Sequence, residues 1–166
     1  SYVKPYFTED WPEARRVNHI TKEMVCNAPY IYELLPRLNQ VLAQVKTIVG
    51  YNFTGFDNGF LTRYGASFND ETIVQDLSNI FAAIYGEFSP KHGDFKFKNL
   101  STCADYFGYD WGEETAHNSL ADCRATAFCY QMALEEKYQA LYQENTHKRD
   151  CGFFDESYDA CGDYNG

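Results

Sequence analysis

Two stretches of the chain each place one aspartate at the start of a predicted helix, among residues that a helix normally buries. In "GYNFTGFDNGFL", bulky side chains follow Asp57 at intervals of three, four and seven residues: Phe60, Leu61 and Tyr64. These spacings share one helical face, so we expect Asp57 to lie on a buried surface. Because an unpaired buried carboxylate is costly, we also expect a compensating charge such as a cation.

The second stretch, "AHNSLADCRATAF", has a similar design around Asp122. Small and apolar residues follow it on the same helical face: Ala125, Thr126, Cys129 and Tyr130. A histidine, His117, precedes Asp122 by five residues and lies just ahead of the predicted helix. The two stretches together therefore offer two carboxylates and one imidazole.

Helix capping is the alternative interpretation of both aspartates. Thr54-x-x-Asp57 and Ser119-x-x-Asp122 each fit the capping-box pattern. An acid in the first turn also complements the helix dipole by roughly 0.3–1 kcal/mol. Taken singly, each aspartate is explained by capping, and His117 alone is explained as an ordinary surface or core histidine.

The combination of two carboxylates and a histidine favours metal-dependent hydrolysis. Hard cations such as Mg²⁺ prefer carboxylate oxygens and retain open water positions. Phosphodiester cleavage commonly uses two cations about 3.5–4 Å apart, which stabilise the attacking and leaving oxygens. A histidine with an ordinary pKa of about 6.5 can accept the proton of the attacking water.

Alternating strand and helix patterns predict the scaffold that positions these residues. The predicted strands are the end of one at Tyr2–Val3, then Thr47–Asn52 and Glu71–Leu77. The predicted helices are Thr21–Val25, Tyr30–Val45 with Pro36 inside it, 54–65, Ser78–Tyr85, Asn99–Phe107 and Leu120–Tyr142, while "TEDWPEARRVN" is predicted to be a loop. Such alternation predicts an α/β fold with a partly parallel sheet.

Composition limits the class of protein. The 166 residues suit one domain, and 45% hydrophobic residues allow a substantial core. No apolar run is long enough to span a bilayer, and the six cysteines are interpreted as reduced thiols, so we expect a cytoplasmic location. A net charge of −10 argues against broad non-specific nucleic-acid binding. The local basic cluster of Lys91, Lys96 and Lys98 either guides a nucleic-acid strand or is an ordinary solvated loop.

The same two stretches carry a resemblance to a known family. "YNFTGFDNGFL" resembles the second motif, and "HNSLADCRAT" the third motif, of the DEDDh 3′–5′ exonucleases, which include the proofreading epsilon subunit of DNA polymerase III and ribonuclease T. The segments "FKNLSTCADYFGYD" and "VNHITKEMVCNAPYIYELLPRL" are also similar to that family. The resemblance covers about residues 1–142 and implies a ribonuclease-H-like α/β fold with a mixed sheet.

The resemblance also implies roles for individual residues. It makes Asp57 and Asp122 ligands of two divalent cations, Mg²⁺ or Mn²⁺, and His117 the general base. The substrate is then a single-stranded DNA or RNA 3′ end, and a DNA polymerase is a possible partner.

A second set of residues is implied to face the nucleic acid. It consists of Phe56, Val17 and Asn18 near the terminal base, together with Asn52. Asn52 and Thr126 resemble supporting residues of the family, and Tyr51 stands where many relatives have histidine.

One part of the family pattern is missing. The first motif, Asp-x-Glu-Thr at the end of a strand, supplies two of the four metal carboxylates, and no such motif occurs here. In "GFFDESYD", Asp155 and Glu156 are adjacent, so in a strand they point to opposite faces. We therefore expect an exonuclease domain at 1–146 that lacks its first two strands, an acidic tail at 147–166, and an inactive fragment. The alternative is a non-catalytic nucleic-acid-binding relative that lost the motif.

Overall fold

The computed structural model describes residues 2–6, 10–112 and 118–154, and shows a mixed α/β chain. In this part of the chain the helices are α1 Pro12–Asn18, α2 Lys22–Val25, α3 Ile31–Leu42, α4 Asp57–Arg63, α5 Leu77–Tyr85, α6 Leu100–Phe107, α7 Ser119–Ala133 and α8 Glu136–Asp150. The strands are β1 Thr47–Gly50, β2 Ile73–Asp76, β3 Phe88–Ser89 and β4 Asp94–Phe95.

The strands form two small sheets. β1 and β2 pair in parallel, from Thr47 opposite Ile73 to Gly50 opposite Asp76, and α4 lies in the connection between them. β3 and β4 form a short antiparallel pair. The predicted α/β class with a partly parallel sheet is confirmed by the β1–β2 pair, and the arrangement is consistent with a ribonuclease-H-like fold.

The main core is built around α5. Leu77 and Phe81 are fully buried on this helix, and Ile84 continues the same face at a spacing of three further residues. The helices α6, α7 and α8 pack against one another or against α5. Buried residues of α6 and α7 complete one cluster: Cys103, Ala104, Phe107, Cys129 and Ala133.

The single long helix predicted over Leu120–Tyr142 is wrong, because α7 ends at Ala133 and α8 begins at Glu136. Glu135 between them has an extended backbone with φ −64° and ψ 143°. The Gln139 side-chain amide donates to the Ala133 carbonyl at 2.7 Å, which satisfies a carbonyl at the end of α7. The break lets α8 turn back along α5.

The predicted domain boundary after residue 146 falls inside α8. The Asn145 amide donates to the Ala83 carbonyl of α5 at 2.7 Å, and α8 continues to Asp150. Beyond the helix, the Phe154 ring stacks on Phe88 with 4.6 Å between centroids. Residues 155–166, which include most of the predicted tail, lie outside the described residues.

The segment predicted to be a loop before residue 19 contains α1. Pro12 occupies the first helical turn, where its missing N–H costs nothing. The Trp11 indole N–H donates to the Ile20 carbonyl at 2.8 Å and ties the two ends of the helix together. The pattern was wrongly interpreted because α1 has no buried residue and so no apolar face.

The predicted strand end at Tyr2–Val3 is also absent. Lys4 instead forms one isolated parallel bridge with Tyr30, at the start of α3. Among the described helices, none combines the length and the apolar character needed to cross a bilayer.

Candidate active site

Asp57 is the first residue of α4 and follows the turn that leaves β1. The expectation that it lies on a buried face is wrong, because its side chain is exposed and α4 has no buried residue. Phe60 on the following turn is 55% exposed, and Leu61 and Tyr64 are half-buried. Asp57 is therefore open to solvent and to ligands.

The capping-box interpretation does not match either helix. In α4 the N-cap is Phe56, not Thr54, so Asp57 is the first helical residue and not the third. In α7 the N-cap is Asn118, which makes Asp122 the fourth helical residue. Both carboxylates remain in a first turn, where the helix dipole favours them, but neither completes a capping box.

A buried aspartate that sequence reasoning missed organises the turn before Asp57. Asp76 is 8% exposed and lies where β2 meets α5. Its Oδ1 accepts hydrogen bonds from the Asn52 N–H at 2.8 Å and the Ser78 hydroxyl at 2.8 Å, and Oδ2 accepts from the Thr54 N–H at 2.9 Å. An aspartate directly before a helix, with serine two residues on, is a capping signal that the sequence did contain.

The two neighbouring carboxylates have opposite pKa shifts. Burial alone would raise the pKa of Asp76, but hydrogen bonds from Thr54 and Ser78 outweigh it and hold that pKa below its ordinary value. The pKa of Asp57 is raised, mainly because nearby protein atoms displace water, and further because Asp76 is negative; its own N–H acts the other way. A cation beside Asp57 would relieve this repulsion.

Asp122 is held by packing. It is half-buried, and its N–H donates to the Asn118 carbonyl at 2.8 Å. Ala121 and Ala125 on the same helix are fully buried, which lets α7 approach β1, α5 and α6 closely. β1 leads into the turn before Asp57, and α7 packs against β1.

His117, the predicted general base, lies outside the described residues, and so do Asp155 and Glu156. The role of His117 therefore stays a prediction. It is the residue directly before Asn118, the N-cap of α7, which the structure does describe.

The residues predicted to face a nucleic acid lie in different settings. Phe56 is 70% exposed immediately before Asp57, and Val17 is exposed near the end of α1. Asn18 is half-buried, with its Oδ1 accepting from the Ile20 N–H at 3.0 Å. Asn52 has a left-handed backbone with φ 56° and an exposed side chain.

Two of the three lysines of the predicted basic cluster share one carboxylate. Lys96 and Lys98 both pair with Glu87, and these contacts lower the pKa of Glu87 to about 2. Nearby, the Tyr51 hydroxyl donates to the Lys98 carbonyl at 2.8 Å. This arrangement favours the solvated-loop interpretation for Lys96 and Lys98 and gives Tyr51 a structural contact.

The described residues do not by themselves complete a metal centre. Asp57 and Asp122 offer the oxygen donors that Mg²⁺ and Mn²⁺ prefer. Within residues 2–6, 10–112 and 118–154, however, no group of three or more His, Cys, Asp or Glu side chains is placed to hold a metal ion. Two cations would need further ligands.

Comparison with known families decides the class of protein. The RNase T family model, described as Exonuclease, matches residues 1–130, which include both Asp57 and Asp122. The chain belongs to the RNase T exonuclease family. The resemblance found in the two motifs is thereby confirmed at the level of the family, and the protein is a nuclease-type hydrolase with a nucleic-acid substrate. A search of curated proteins and of solved structures gave no significant match.

Proposed function

We propose that this exonuclease domain removes nucleotides from the 3′ ends of DNA or RNA in a reaction that depends on two divalent cations. The supporting observation is that the family match includes two aspartates that each lie in the first turn of a helix and complete no capping box. Asp57 is exposed, and its pKa is raised by nearby protein atoms and, to a smaller extent, by the negative charge of Asp76, so a bound cation would favour its ionised form.

In this proposal Asp57 and Asp122 are metal ligands. The bound cations, Mg²⁺ or Mn²⁺, would supply Lewis-acid stabilisation of the charge that develops on the phosphate. His117 accepts the proton of the attacking water. The exposed Phe56 ring stacks on the terminal base, with Val17 and Asn18 beside it, as the resemblance implies.

Two protein carboxylates are too few for two cations. Their mutual repulsion would be poorly offset, since two unit charges 4 Å apart already interact by about 4 kcal/mol at an effective dielectric of 20. The proposal therefore requires additional carboxylates, such as those of the family's first motif, and the 166-residue chain alone is expected to be inactive.

A non-catalytic nucleic-acid-binding role is the second candidate. The observation in its favour is that, among the described residues, no three His, Cys, Asp or Glu side chains are placed together so that they could hold a metal ion.

For the nuclease, we propose a reducing compartment such as the cytoplasm, because the cysteines in the described part of the chain are free thiols. Association with a DNA polymerase is part of the same proposal.

The test compares this chain with a form extended by the coding sequence upstream of Ser1. A 5′-labelled single strand is incubated with each protein in Mg²⁺ or Mn²⁺, and a circular strand serves as the control without ends. The extended form should produce a ladder shortened from the 3′ end and should leave the circle intact. His117→Ala should slow it by roughly 10²–10⁴-fold, the usual contribution of a general base.

Each other outcome has a defined meaning. Cutting of the circle would contradict exonuclease polarity. Binding of the strand without cleavage by both forms would favour the non-catalytic candidate. Comparable activity in the 166-residue chain and the extended form would show that no further carboxylates are needed.

A further inference from the structure

We propose that Asp76 is a positioning residue, which holds the turn at residues 51–56 so that Asp57 is presented in a fixed place. This inference rests on the proposed function, in which Asp57 binds a metal ion. Asp76 itself is buried and has its oxygens occupied by protein donors, so it is not proposed as a ligand.

The carboxylate of Asp76 joins two parts of the molecule. On one side it accepts from the Ser78 N–H at 3.2 Å and hydroxyl at 2.8 Å, within the buried start of α5. On the other side it accepts from the Asn52 and Thr54 N–H groups, 24 and 22 residues earlier in the chain. Hydrogen bonds to an ionised group are stronger than neutral ones, so this bridge fastens the turn to the core.

The turn needs such an anchor because its backbone is tightly folded. Asn52 has a left-handed conformation with φ 56°, which is uncommon outside glycine and which asparagine adopts more readily than most other residues. A Cβ on Gly50 would lie 2.4 Å from the Phe53 Cβ, and one on Gly55 would lie 2.6 Å from the Asn52 Oδ1. The two inward-pointing N–H groups are held by Asp76, while Phe56 and Asp57 face outward.

Helix capping alone does not explain this arrangement. Asp76 is the N-cap of α5, and the bond from the Ser78 N–H is sufficient for that role. The bonds from Asn52 and Thr54 are additional, and they reach the segment that leads into Asp57. Asn99, the N-cap of α6, provides the comparison, since among the described residues its Oδ1 accepts from the Thr102 N–H and hydroxyl alone, both at 2.8 Å.

Three variants of the full chain separate these roles. Asp76→Ser retains a capping oxygen for α5 but is too short to reach the turn. Asp76→Glu retains the negative charge but displaces the carboxylate. Asn99→Ala removes a cap of the same kind elsewhere and is the matched control for a loss of helix capping.

The first readout is amide hydrogen exchange followed by NMR. Loss of the two charged hydrogen bonds should speed exchange at Asn52 and Thr54 by about tenfold or more in Asp76→Ser and Asp76→Glu. Exchange at Phe81 in the core of α5 should rise by a smaller factor than exchange at Asn52 and Thr54, which shows that the variants remain folded and that the turn opens locally. Asn99→Ala should leave Asn52 and Thr54 as they are in the wild type.

The second readout is the Kd for Mn²⁺, measured by paramagnetic broadening. Both Asp76 variants should bind about tenfold or more weakly, the usual effect of removing a group that orients a metal ligand. Wild-type affinity in Asp76→Glu would show that only the charge matters and would overturn positioning. Unchanged exchange at Asn52 and Thr54 would also overturn it. If Asp57→Asn binds Mn²⁺ as tightly as the wild type, Asp57 is not a metal ligand. The proposed function then fails at this residue, whereas the role of Asp76 in holding the turn is still judged by amide exchange.

Discussion

Asp57 and Asp122 both stand in the first turn of a helix, but the two helices are held in place by different means. α7 carries fully buried Ala121 and Ala125 and packs against β1 and three helices. α4 has no buried residue, and the turn before it is held by hydrogen bonds to Asp76. Similar patterns in the sequence thus produce one carboxylate on a helix that is held by packing and one on a helix that follows a polar anchor.

The different packing of α7 and α4 follows from the size of the residues that each helix places on the same face as its aspartate. Alanines let α7 approach its neighbours until dispersion contacts hold it. The bulky Phe60 and Tyr64 of α4 do not pack into the core but contact each other, with 4.9 Å between ring centroids. A carboxylate on α4 can therefore remain exposed, whereas Asp122 is half-buried.

The largest expected effect is a loss of nuclease activity when either of the two proposed metal ligands is replaced. In a form of the nuclease that degrades a labelled strand, Asp57→Asn and Asp122→Asn should each lower the rate by about 10³-fold or more, because metal ligation supplies several kcal/mol of transition-state stabilisation. Asp105→Asn, an exposed aspartate on α6, is the control and should leave the rate unchanged. Retention of most of the rate at saturating Mg²⁺ in either variant would contradict the shared role.

The packing of α7 can be tested by enlarging a buried residue. Ala125→Leu should lower the free energy of unfolding by about 1–3 kcal/mol, since extra methylenes in a packed interface force neighbours to move. Ala127→Leu, on the exposed side of α7, should change it by less than about 0.5 kcal/mol. Urea unfolding measures both, and equal effects would mean that α7 is not held by packing.

The openness of α4 predicts the opposite response to added volume. A Cβ at Gly59 meets no atom within 4 Å, so Gly59→Ala should raise the free energy of unfolding by about 0.5–1 kcal/mol through helix propensity. Gly50→Ala is the contrasting variant and should destabilise, because its Cβ would lie 2.4 Å from the Cβ of Phe53, whose side chain is buried. Both variants are measured by the same urea titration. Destabilisation by Gly59→Ala would show that other residues pack against this side of α4.

The smallest expected effect is the change in stability with pH that comes from the neighbouring Asp57 and Asp76. The pKa of Asp57 is raised from 3.8 in the folded protein. Ionisation of Asp57 therefore lowers the stability of the fold as the pH rises above that value. At pH 7, Asp57→Asn should have a slightly higher melting temperature than the wild type. The pKa of Asp76 is lowered from 3.8, so its stabilisation is present above that value and is lost as pH falls below it.

Melting curves of the wild type, Asp57→Asn and Asp76→Asn between pH 3 and pH 7 therefore check two opposite trends. The gain in Asp57→Asn should shrink toward low pH, and so should the loss in Asp76→Asn. If Asp57→Asn still melts higher than the wild type at pH 3, the increase in melting temperature does not come from the charge of Asp57.

Local patterns in the sequence were sufficient for several elements. The apolar, β-branched segments at β1 and β2, the helix that follows Asp76 and the helix capped by Asn99 all lie where the sequence predicts them. α1 and the break at Glu135 were missed, because α1 has no apolar face and the break depends on the packing of α8 against α5.

The sequence alone determined the family and the chemical character of this protein, since the two motifs resemble those of exonucleases and the RNase T family model matches residues 1–130. Only the tertiary structure decided that Asp57 is exposed, that neither aspartate completes a capping box, and that Asp76 anchors the turn before Asp57. The reason is physical: hydrophobic periodicity reports on neighbours a few residues apart, whereas the bonds of Asp76 join groups 22 and 24 residues apart that meet only when β1 and β2 pair.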